Sequence, residues 1–359
     1  MRNKDRALGA YFGAAIGDAM GGPVEFNHYA RIKRLVGEVK GLMPYAKPYT
    51  LEEPRPGYAH HKDPGCVTDD TFIRWDITRF YLETKGPRTP QMLADWCLRN
   101  AHINGDFPLW DPPLIEALRR VERGEVKAEE GGMTFTQGGG VGWWTPVGIL
   151  NQGNPEAAAE ETKKMSSIWK APLEKDLISA VQAGVADAGR EGATMDSVIN
   201  AMFKVCGPLP QALMHRAIDI ARQSKDIWNL AAKLYQHCLM PEFELRTREE
   251  PPRFTTSSIP PVRVPLPDSD GLYASWFLAE QVPFALAAFV YGRGELEAIP
   301  ICCTLGRDAD TTSTTVGSWV GALHGESGLP KEWVDAVCEV NIREIDIRGL
   351  GEQLAVHQE

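Results

Sequence analysis

The sequence lacks the cysteine patterns of a disulfide-bonded or zinc-binding protein. It contains seven cysteines, an odd number, and no C-x-x-C pair. Cys302 and Cys303 are adjacent, so they cannot both take part in ordinary disulfide bonds. These features argue against a disulfide framework and against a structural zinc site. They favour reduced, mostly buried thiols in a cytoplasmic protein.

Long hydrophobic runs are also absent. The longest apolar stretch, Val282 to Tyr291, is far too short to cross a bilayer. The N-terminal segment places basic residues before small apolar ones, as a secretion signal does. However, Asp18 and several glycines interrupt the apolar part, and no leucine run is present. We interpret this segment as the first helix of the fold and expect neither a membrane span nor a membrane partner.

Positive charge is scarce relative to negative charge. The chain has 38 Lys and Arg residues against 48 Asp and Glu residues, a formal net charge of −10. Its surface as a whole therefore repels nucleic acid and anionic membranes. An anionic substrate would need local compensation, which bound metal ions could provide. The hydrophobic content of 43% is typical of a globular protein with a full core.

Alternating, strand-like runs are few, and helical periodicity dominates the chain. Apolar residues recur at spacings of three and four, and alanine is plentiful. The pattern predicts an all-α protein of a dozen or more helices. The predicted helices cover residues 6–21, 71–84, 90–101, 113–122, 155–169, 173–190, 194–204, 211–222, 225–238, 273–291, 295–303, 311–324 and 331–345.

Two stretches, residues 40–67 and 241–271, do not follow this helical pattern. The first is rich in Pro, Gly and Tyr, and the second holds many prolines in a polar context. Long irregular connections of this kind are often lids or binding loops. The second could instead link two domains, but acidic motifs occur on both sides of it. If those motifs form one site, residues 1–359 make a single domain.

Glycines recur every four residues in two of the predicted helices. They are Gly9, Gly13, Gly17 and Gly21 near the N-terminus, and Gly317, Gly321 and Gly325 near the C-terminus. Residues four apart share one helix face, so each helix presents a smooth surface to a close neighbour. Each glycine weakens a helix by roughly 1 kcal/mol relative to Ala, so close packing must compensate. Antiparallel packing of these two helices would bring Glu25 near Asp308 and Asp310.

Two short acidic stretches carry the strongest chemical signal. They are Thr68-Asp69-Asp70-Thr71 and Asp308-Ala309-Asp310-Thr311, each at the start of a predicted helix. Either stretch alone is typical of a helix N-cap, because Thr and Asp accept hydrogen bonds from first-turn amides. Together they supply more carboxylates than capping requires. Hard divalent cations prefer such oxygen donors, so the pair predicts a metal-dependent hydrolase.

An ordered set of motifs resembles the ADP-ribosylglycohydrolase family, which includes the glycohydrolase that activates dinitrogen reductase. The set begins with Gly17-Asp18-Ala19-Met20-Gly21-Gly22-Pro23-Val24-Glu25-Phe26 and continues with the Thr68 motif. Near the C-terminus it includes Glu280-x-x-Pro283-x-Ala285, Gly306-x-Asp308-x-Asp310-Thr311 and Gly317-x-x-x-Gly321-Ala322-x-x-Gly325. The resemblance spans nearly the whole chain.

The resemblance implies an all-α fold with two Mg²⁺ or Mn²⁺ ions at its centre. The implied metal ligands are Thr68, Asp69, Asp70, Asp308, Asp310 and Thr311. Glu25 matches the acidic residue that lies near the metals in the family; without the resemblance, an ordinary exposed acid would be the preferred interpretation.

Ligand chemistry suggests how such a site would cleave a glycosidic bond. The metals would hold the 2- and 3-hydroxyls of a ribose and activate a water beside the anomeric carbon. Cleavage would pass through an oxocarbenium-like sugar. Glu25 or Asp69 would accept the proton of the water, and the sequence does not distinguish base from ligand.

The middle of the chain departs from the family pattern. Members that act on ADP-ribose usually carry an Asn-Gly-x-x-Met-Arg stretch there, whereas this chain has Gly138-Gly139-Gly140-Val141-Gly142-Trp143-Trp144. A Thr-His pair of the family is also replaced, near Trp169-Lys170. We expect Gly138, Gly139 and Gly140 to offer backbone amides to a phosphate, and Trp143 and Trp144 to offer a stacking surface.

The altered loop leaves the substrate open. The leading hypothesis is cleavage at the anomeric carbon of an ADP-ribosyl group, on a protein or on a small molecule. The alternatives are a smaller nucleoside-like or nucleotide-like substrate, phosphodiester hydrolysis by the same metals, and a catalytically silent family member that only binds ADP-ribose.

Overall fold

Helices account for most of the regular structure in the described residues. The computed structural model describes residues 3–50, 63–103, 110, 112–134, 140–239, 243–245, 272–274 and 277–357. The α-helices are α1 (Lys4–Gly21), α2 (Tyr29–Leu35), α3 (Asp69–Glu83), α4 (Pro90–Asn100), α5 (Pro112–Glu122), α6 (Thr145–Leu150), α7 (Pro155–Met165), α8 (Pro172–Ala188), α9 (Met195–Lys204), α10 (Pro208–Arg222), α11 (Ile227–His237), α12 (Leu278–Tyr291), α13 (Ala298–Leu305), α14 (Ala309–His324), α15 (Lys331–Val340) and α16 (Ile347–Val356).

Short elements complete the described structure. Two three-residue strands, β1 (Phe243–Leu245) and β2 (Leu272–Ala274), pair antiparallel with Phe243 opposite Ala274. Five 3₁₀ helices occupy Gly22–Val24, Ala128–Thr134, Val141–Trp144, Ser166–Ile168 and Glu326–Gly328. The prediction of an all-α fold is confirmed, with one small β ladder added.

The centre of the fold is the antiparallel pair α1 and α14. The glycines of α1 lie directly against backbone of α14: Gly9 against Gly321, Gly13 against Gly317, Gly17 against Ser313 and Gly21 against Ala309. A Cβ added at Gly13 would lie 2.2 Å from the carbonyl oxygen of Gly317. This distance is far below van der Waals contact, so the spacing between the two helices requires glycine. The close approach expected from the glycine spacing is observed, and the two helices pack antiparallel as was supposed.

Three helices form the buried interior. Residues Ala7–Gly21 of α1, Leu278–Val290 of α12 and Ala309–Ala322 of α14 are all buried. A helix that is buried on every side needs no polar face, which is why these segments are poorly amphipathic. Outer helices such as α5 instead bury one apolar stripe, here Leu114, Leu118 and Val121.

Several predicted boundaries are wrong. Residues 272–274 form a strand rather than the beginning of a helix, because they pair with residues distant in sequence. The helix predicted at 331–345 ends at Val340, where the buried Asn341 side chain donates to Gly65 O and accepts from Val67 N–H. The helix predicted at 155–169 ends at Met165, followed by a 3₁₀ turn. Helices α2, α6 and α16 were not predicted.

The two irregular stretches lie partly outside the described residues. Within the first, residues 40–50 and 63–67 contain neither helix nor strand. Tyr45 from this stretch reaches the end of α1, where its hydroxyl would clash with a Cβ at Gly22. The hydroxyl also donates to Cys66 O at 3.3 Å, so the stretch borders the start of α3. No helix of the described residues is both long enough and apolar enough to span a membrane.

Candidate metal centre and active site

Three helix termini meet where α1 ends and where α3 and α14 begin. Antiparallel packing of α1 on α14 places the end of one beside the start of the other. The start of α3 joins them because Thr68 Oγ1 lies 2.7 Å from Asp18 Oδ1 and 2.9 Å from Asp310 Oδ2. Both acidic motifs of the sequence, together with Glu25, therefore line one pocket.

Glu25, Asp308 and Asp310 form the closest carboxylate cluster at this junction. One oxygen from each lies within 4.8 Å of the others. Asp308 and Asp310 are 4% and 1% exposed, whereas Glu25 is partly exposed. Placing two buried carboxylates and a partly exposed one this close together is unfavourable unless a positive charge lies among them. The cluster therefore has the donors and the charge of a cation site.

Two backbone hydrogen bonds hold the segment after Glu25 against the residue before Asp308. Phe26 N–H donates to Arg307 O at 2.6 Å, and Arg307 N–H donates to Asn27 O at 2.9 Å. Phe26 and Arg307 both have left-handed backbones, with φ of 60° and 65°. Such values cost roughly 1–2 kcal/mol for a residue other than glycine, so the surrounding contacts must hold these turns in place.

The first motif contributes Thr68 and Asp70 to the same pocket. Thr68 is the N-cap of α3, and its Oγ1 accepts from Asp70 N–H at 3.3 Å. Thr311 Oγ1 donates to Asp70 Oδ2 at 2.6 Å and so links α14 to α3. The other carboxylate oxygen, Asp70 Oδ1, is buried and has no hydrogen-bond partner. An unpartnered buried carboxylate oxygen fits a position that a cation would occupy.

Asp69 lies at the rim of this cluster. It begins α3 and is only partly buried, unlike Asp70 beside it. Its charge acts on both Asp70 and Asp310. Asp69 is therefore placed with the other predicted ligands while keeping access to solvent.

Burial dominates the electrostatics of the pocket. Burial raises the pKa of Asp70 well above its usual range, and the charges of Asp69, Asp18 and Asp308 raise it further. The pKa of Asp310 is raised in the same way, first by burial and then by Asp308 and Asp70. Each carboxylate thus resists ionisation next to its neighbours, which a divalent cation would reverse.

Sequence reasoning missed several side chains that hold these groups. Asp18 is completely buried and accepts hydrogen bonds from Thr68 and Thr71. Gln281 Nε2 donates to Asp308 Oδ2. The signals were present, since Asp18 and the residue before Gln281 both lie in quoted motifs. Their roles depend on contacts across the fold, which a single sequence does not reveal.

Comparison with known proteins identifies the family of the chain. The sequence model described as ADP-ribosylglycohydrolase matches residues 1–359. The chain belongs to the ADP-ribosylglycohydrolase family. A solved structure of an ADP-ribosylglycohydrolase-related protein complex has the same fold, with a TM-score of 0.56 at 20% sequence identity, and the match covers 98% of this chain and 97% of that chain.

Two relatives illustrate how this chain compares with curated proteins. The uncharacterized protein YegU of Escherichia coli (strain K12) is 25% identical over 349 residues, 94% of each chain. ADP-ribosylarginine hydrolase Tri1 of Pseudomonas putida (strain GB-1) is 35% identical over 68 residues. That match covers 19% of this chain and 18% of Tri1. The similarity to a protein of named activity is thus confined to a short segment.

The glycine-tryptophan loop of this chain lies next to α14, the helix that carries Asp310 and Thr311. Gly138 and Gly139 lie outside the described residues, whereas Gly140 has a left-handed backbone with φ of 71° and precedes the 3₁₀ helix Val141–Trp144. A Cβ at Gly142 would lie 2.1 Å from Cγ2 of Thr314, one helical turn after Asp310. The loop is therefore packed one turn beyond the acidic pocket.

Trp143 and Trp144 lie inside the protein rather than on its surface. Trp143 is 4% exposed, with its ring 6.3 Å from that of Trp110, and Trp144 is fully buried beside Trp169. Both indole Nε1 atoms are buried without a hydrogen-bond partner.

Lys170 is a buried cation in the same region. It is 1% exposed, and its Nζ lies 5.7 Å from the centre of the Trp143 ring. Burial lowers the pKa of Lys170, while the charges of Glu174 and Asp70 raise it. Lys170 lies in the region where a Thr-His pair of the family is expected to be replaced, and the sequence assigned it no function.

Proposed function

We propose that this chain is a divalent-metal-dependent hydrolase that cleaves the bond at the anomeric carbon of an ADP-ribosyl or related ribosyl group. The observation that carries the proposal is the convergence of Glu25, Asp308 and Asp310 within 4.8 Å. Membership of the ADP-ribosylglycohydrolase family supports glycohydrolase chemistry, and the short similarity to ADP-ribosylarginine hydrolase Tri1 agrees with it.

The donors around the pocket fit Mg²⁺ or Mn²⁺, because all of them are carboxylate or hydroxyl oxygens. The residues that would hold a pair of such ions are Thr68, Asp69, Asp70, Asp308, Asp310 and Thr311. Bound there, the ions would supply Lewis acidity and orient the sugar hydroxyls. The unpartnered Asp70 Oδ1 and the crowded carboxylates support this assignment.

Glu25 is the carboxylate best placed to move a proton. It is partly exposed and has an oxygen within 4.8 Å of Asp308 and Asp310, so it lies near the proposed ligands and is accessible from solvent. In the proposed reaction water attacks the anomeric carbon and Glu25 accepts a proton from the water. The bond to the leaving group breaks, and the leaving group takes up a proton from solvent, so that Glu25 can return its own proton to solvent. Asp69, also partly exposed, is the alternative base.

A product screen tests the reaction. Purified protein with Mn²⁺ or Mg²⁺ would be incubated with ADP-ribosylated protein, free ADP-ribosyl conjugates, nucleosides and nucleotides, and products identified by mass spectrometry. We expect a free ribosyl sugar with a reducing end, released by the wild type and not by an Asp308→Ala, Asp310→Ala double variant. Phosphate-ester products without a reducing sugar would support phosphodiester hydrolysis instead. No turnover of any substrate would favour a silent binding protein.

The base assignment has its own test. Glu25→Gln should abolish turnover while the metal content, measured by plasma mass spectrometry, stays unchanged. Asp69→Asn should lower the metal content if Asp69 is a ligand. Full activity of Glu25→Gln would transfer the role of base to another group.

A smaller ribosyl compound is a second candidate substrate. It is favoured by Trp143, which replaces the family's arginine and packs between Trp110 and Lys170. A bulky indole there narrows the space that the distal part of ADP-ribose would need. Comparing kcat/KM for ADP-ribosylarginine with that for simple ribosyl compounds separates the two candidates.

A further inference from the structure

Asp18 is a completely buried carboxylate that holds the start of α3 from a different helix. Asp18 Oδ1 accepts from Thr68 N–H at 3.1 Å and from Thr68 Oγ1 at 2.7 Å. Asp18 Oδ2 accepts from Thr71 N–H at 3.0 Å and from the Thr71 hydroxyl. An acceptor for first-turn amides is normally a neighbour in sequence, but here it lies 53 residues before Thr71.

Asp18 determines how the proton and the lone pairs of Thr68 Oγ1 are oriented. A hydroxyl has one proton and two lone pairs. One lone pair accepts from Asp70 N–H at 3.3 Å, and the contact to Asp18, the shorter of the two carboxylate contacts, takes the proton. The remaining lone pair then faces Asp310 Oδ2 at 2.9 Å. Two lone pairs facing each other repel unless a cation, or a proton on the carboxyl group, lies between the groups or beside them.

Arg74 is linked to Asp18 through the hydroxyl of Thr71. Its Nη2 donates to Thr71 Oγ1 at 2.8 Å, and the same hydroxyl donates to Asp18. Arg74 is fully buried, with its guanidinium 5.6 Å from the centre of the Tyr11 ring. Its Nε and Nη1 are buried without hydrogen-bond partners. A buried guanidinium with such poor hydrogen bonding is retained for its charge, which compensates Asp18.

We propose that Asp18 and Arg74 are positioning residues of the metal site. Asp18 takes the hydroxyl proton of Thr68 and so turns a lone pair of that oxygen toward the cation that Asp310 binds. Arg74 fixes Asp18 through the Thr71 hydroxyl. This inference rests on the metal dependence proposed above, and it adds to the ligands a set of side chains that do not themselves touch the metal.

Metal affinity is the measurement that tests this role, by calorimetric titration of metal-free protein with Mn²⁺. Asp18→Asn replaces one acceptor by a donor, so Thr68 can no longer direct its proton as before. We expect Mn²⁺ affinity to fall about 10–100-fold, the usual effect of losing a group that orients a ligand. Asp76→Asn is the matched control, because Asp76 is equally buried on α3 but accepts instead from Trp110 Nε1 and His102 N–H. It should bind Mn²⁺ like the wild type.

Thr71 supplies a second pair of variants if Asp18→Asn does not fold. Thr71→Val removes the hydroxyl that joins Arg74 to Asp18, and Thr71→Ser keeps it. We expect weaker Mn²⁺ binding for Thr71→Val and near wild-type binding for Thr71→Ser. Equal Mn²⁺ affinity in wild type, Asp18→Asn and Thr71→Val would overturn the positioning role alone. A wild type that binds no Mn²⁺ would overturn the proposed metal dependence and this inference with it.

Discussion

Arg307 and Glu280 form an ion pair inside the protein. Arg307 Nε lies 2.8 Å from Glu280 Oε1, and Nη2 lies 3.2 Å from Oε2. The two side chains are only 1% and 2% exposed. Since Gln281 donates to Asp308, adjacent residues of α12 hold adjacent residues of the loop before α14. The ion pair thus fixes the position of a predicted metal ligand.

Replacing Arg307 with glycine should destabilise the protein even though glycine suits the backbone. Arg307→Gly relieves a φ of 65°, worth roughly 1–2 kcal/mol. It also leaves Glu280 buried without its partner, which costs about 3–5 kcal/mol. We expect a net loss of about 2–3 kcal/mol in the free energy of unfolding, measured by urea denaturation. The Arg307→Gly, Glu280→Gln double variant should recover most of it; a single variant as stable as the wild type would contradict this reasoning.

Replacing Gly13 with alanine should also destabilise the protein, because Gly13 lies in the contact between α1 and α14. The Cβ of Gly13→Ala would overlap the carbonyl oxygen of Gly317, so the helices must separate. Overpacking of this kind costs about 1–3 kcal/mol or more, which exceeds the gain in helix propensity. Gly41→Ala is the control, because its Cβ would meet Trp333 at an ordinary 3.6 Å. If both variants unfold at the same urea concentration as the wild type, the contact between α1 and α14 does not require glycine at position 13 for stability, and the prediction is wrong.

His28 should make the protein sensitive to mild acid. Burial and then the charge of Arg307 lower the pKa of His28 to about 4 from 6.5. Its Nδ1 accepts from Ala30 N–H at 3.1 Å, which requires the neutral ring. Because the folded pKa is depressed, the unfolded chain takes up the proton first, and stability is lost as pH falls from about 6.5 toward 4. We expect a loss of about 2 kcal/mol between pH 7 and pH 5.

A variant at the same position separates this effect from the titration of carboxylates. Asn caps a helix well and does not titrate, so His28→Asn should retain the start of α2. Between pH 7 and pH 5, the unfolding free energy of the wild type should fall by about 2 kcal/mol more than that of His28→Asn. Parallel stability curves for the two proteins would show that His28 does not contribute.

Asp310→Asn should have opposite effects on the stability of the protein with and without bound metal. Without metal, burial and the neighbouring carboxylates raise the pKa of Asp310, so its ionised form opposes folding, increasingly as pH rises. The variant should then be more stable than the wild type at pH 8. With Mn²⁺ at a hundred times its Kd, the wild type should gain about 2.7 kcal/mol and the variant much less. Thermal melts with Mn²⁺ or a chelator measure both effects; a wild type unaffected by Mn²⁺ would contradict the assigned site.

The sequence predicted the parts of the fold that rest on local patterns. Helical periodicity located the long helices, and the glycine spacing indicated that α1 and α14 each pack closely against another helix. Short elements such as α2 and α6 were missed, because six or seven residues carry too little periodicity. The strand at Leu272–Ala274 was missed because its partner, Phe243–Leu245, lies far away in the chain. Nothing local distinguishes such a strand from the start of a helix.

For the site, the sequence by itself determined which oxygen donors are available and on which helix ends they lie. Residue type and spacing suffice for this, since carboxylates at a helix start are a local property. Only the tertiary structure decided that Asp18 holds Thr68, that Gln281 binds Asp308, and that Trp143 and Trp144 lie inside the protein. These relations join residues far apart in the chain. They exist because glycines at the contact between α1 and α14 let the two helices approach closely, which brings the end of α1 beside the starts of α3 and α14.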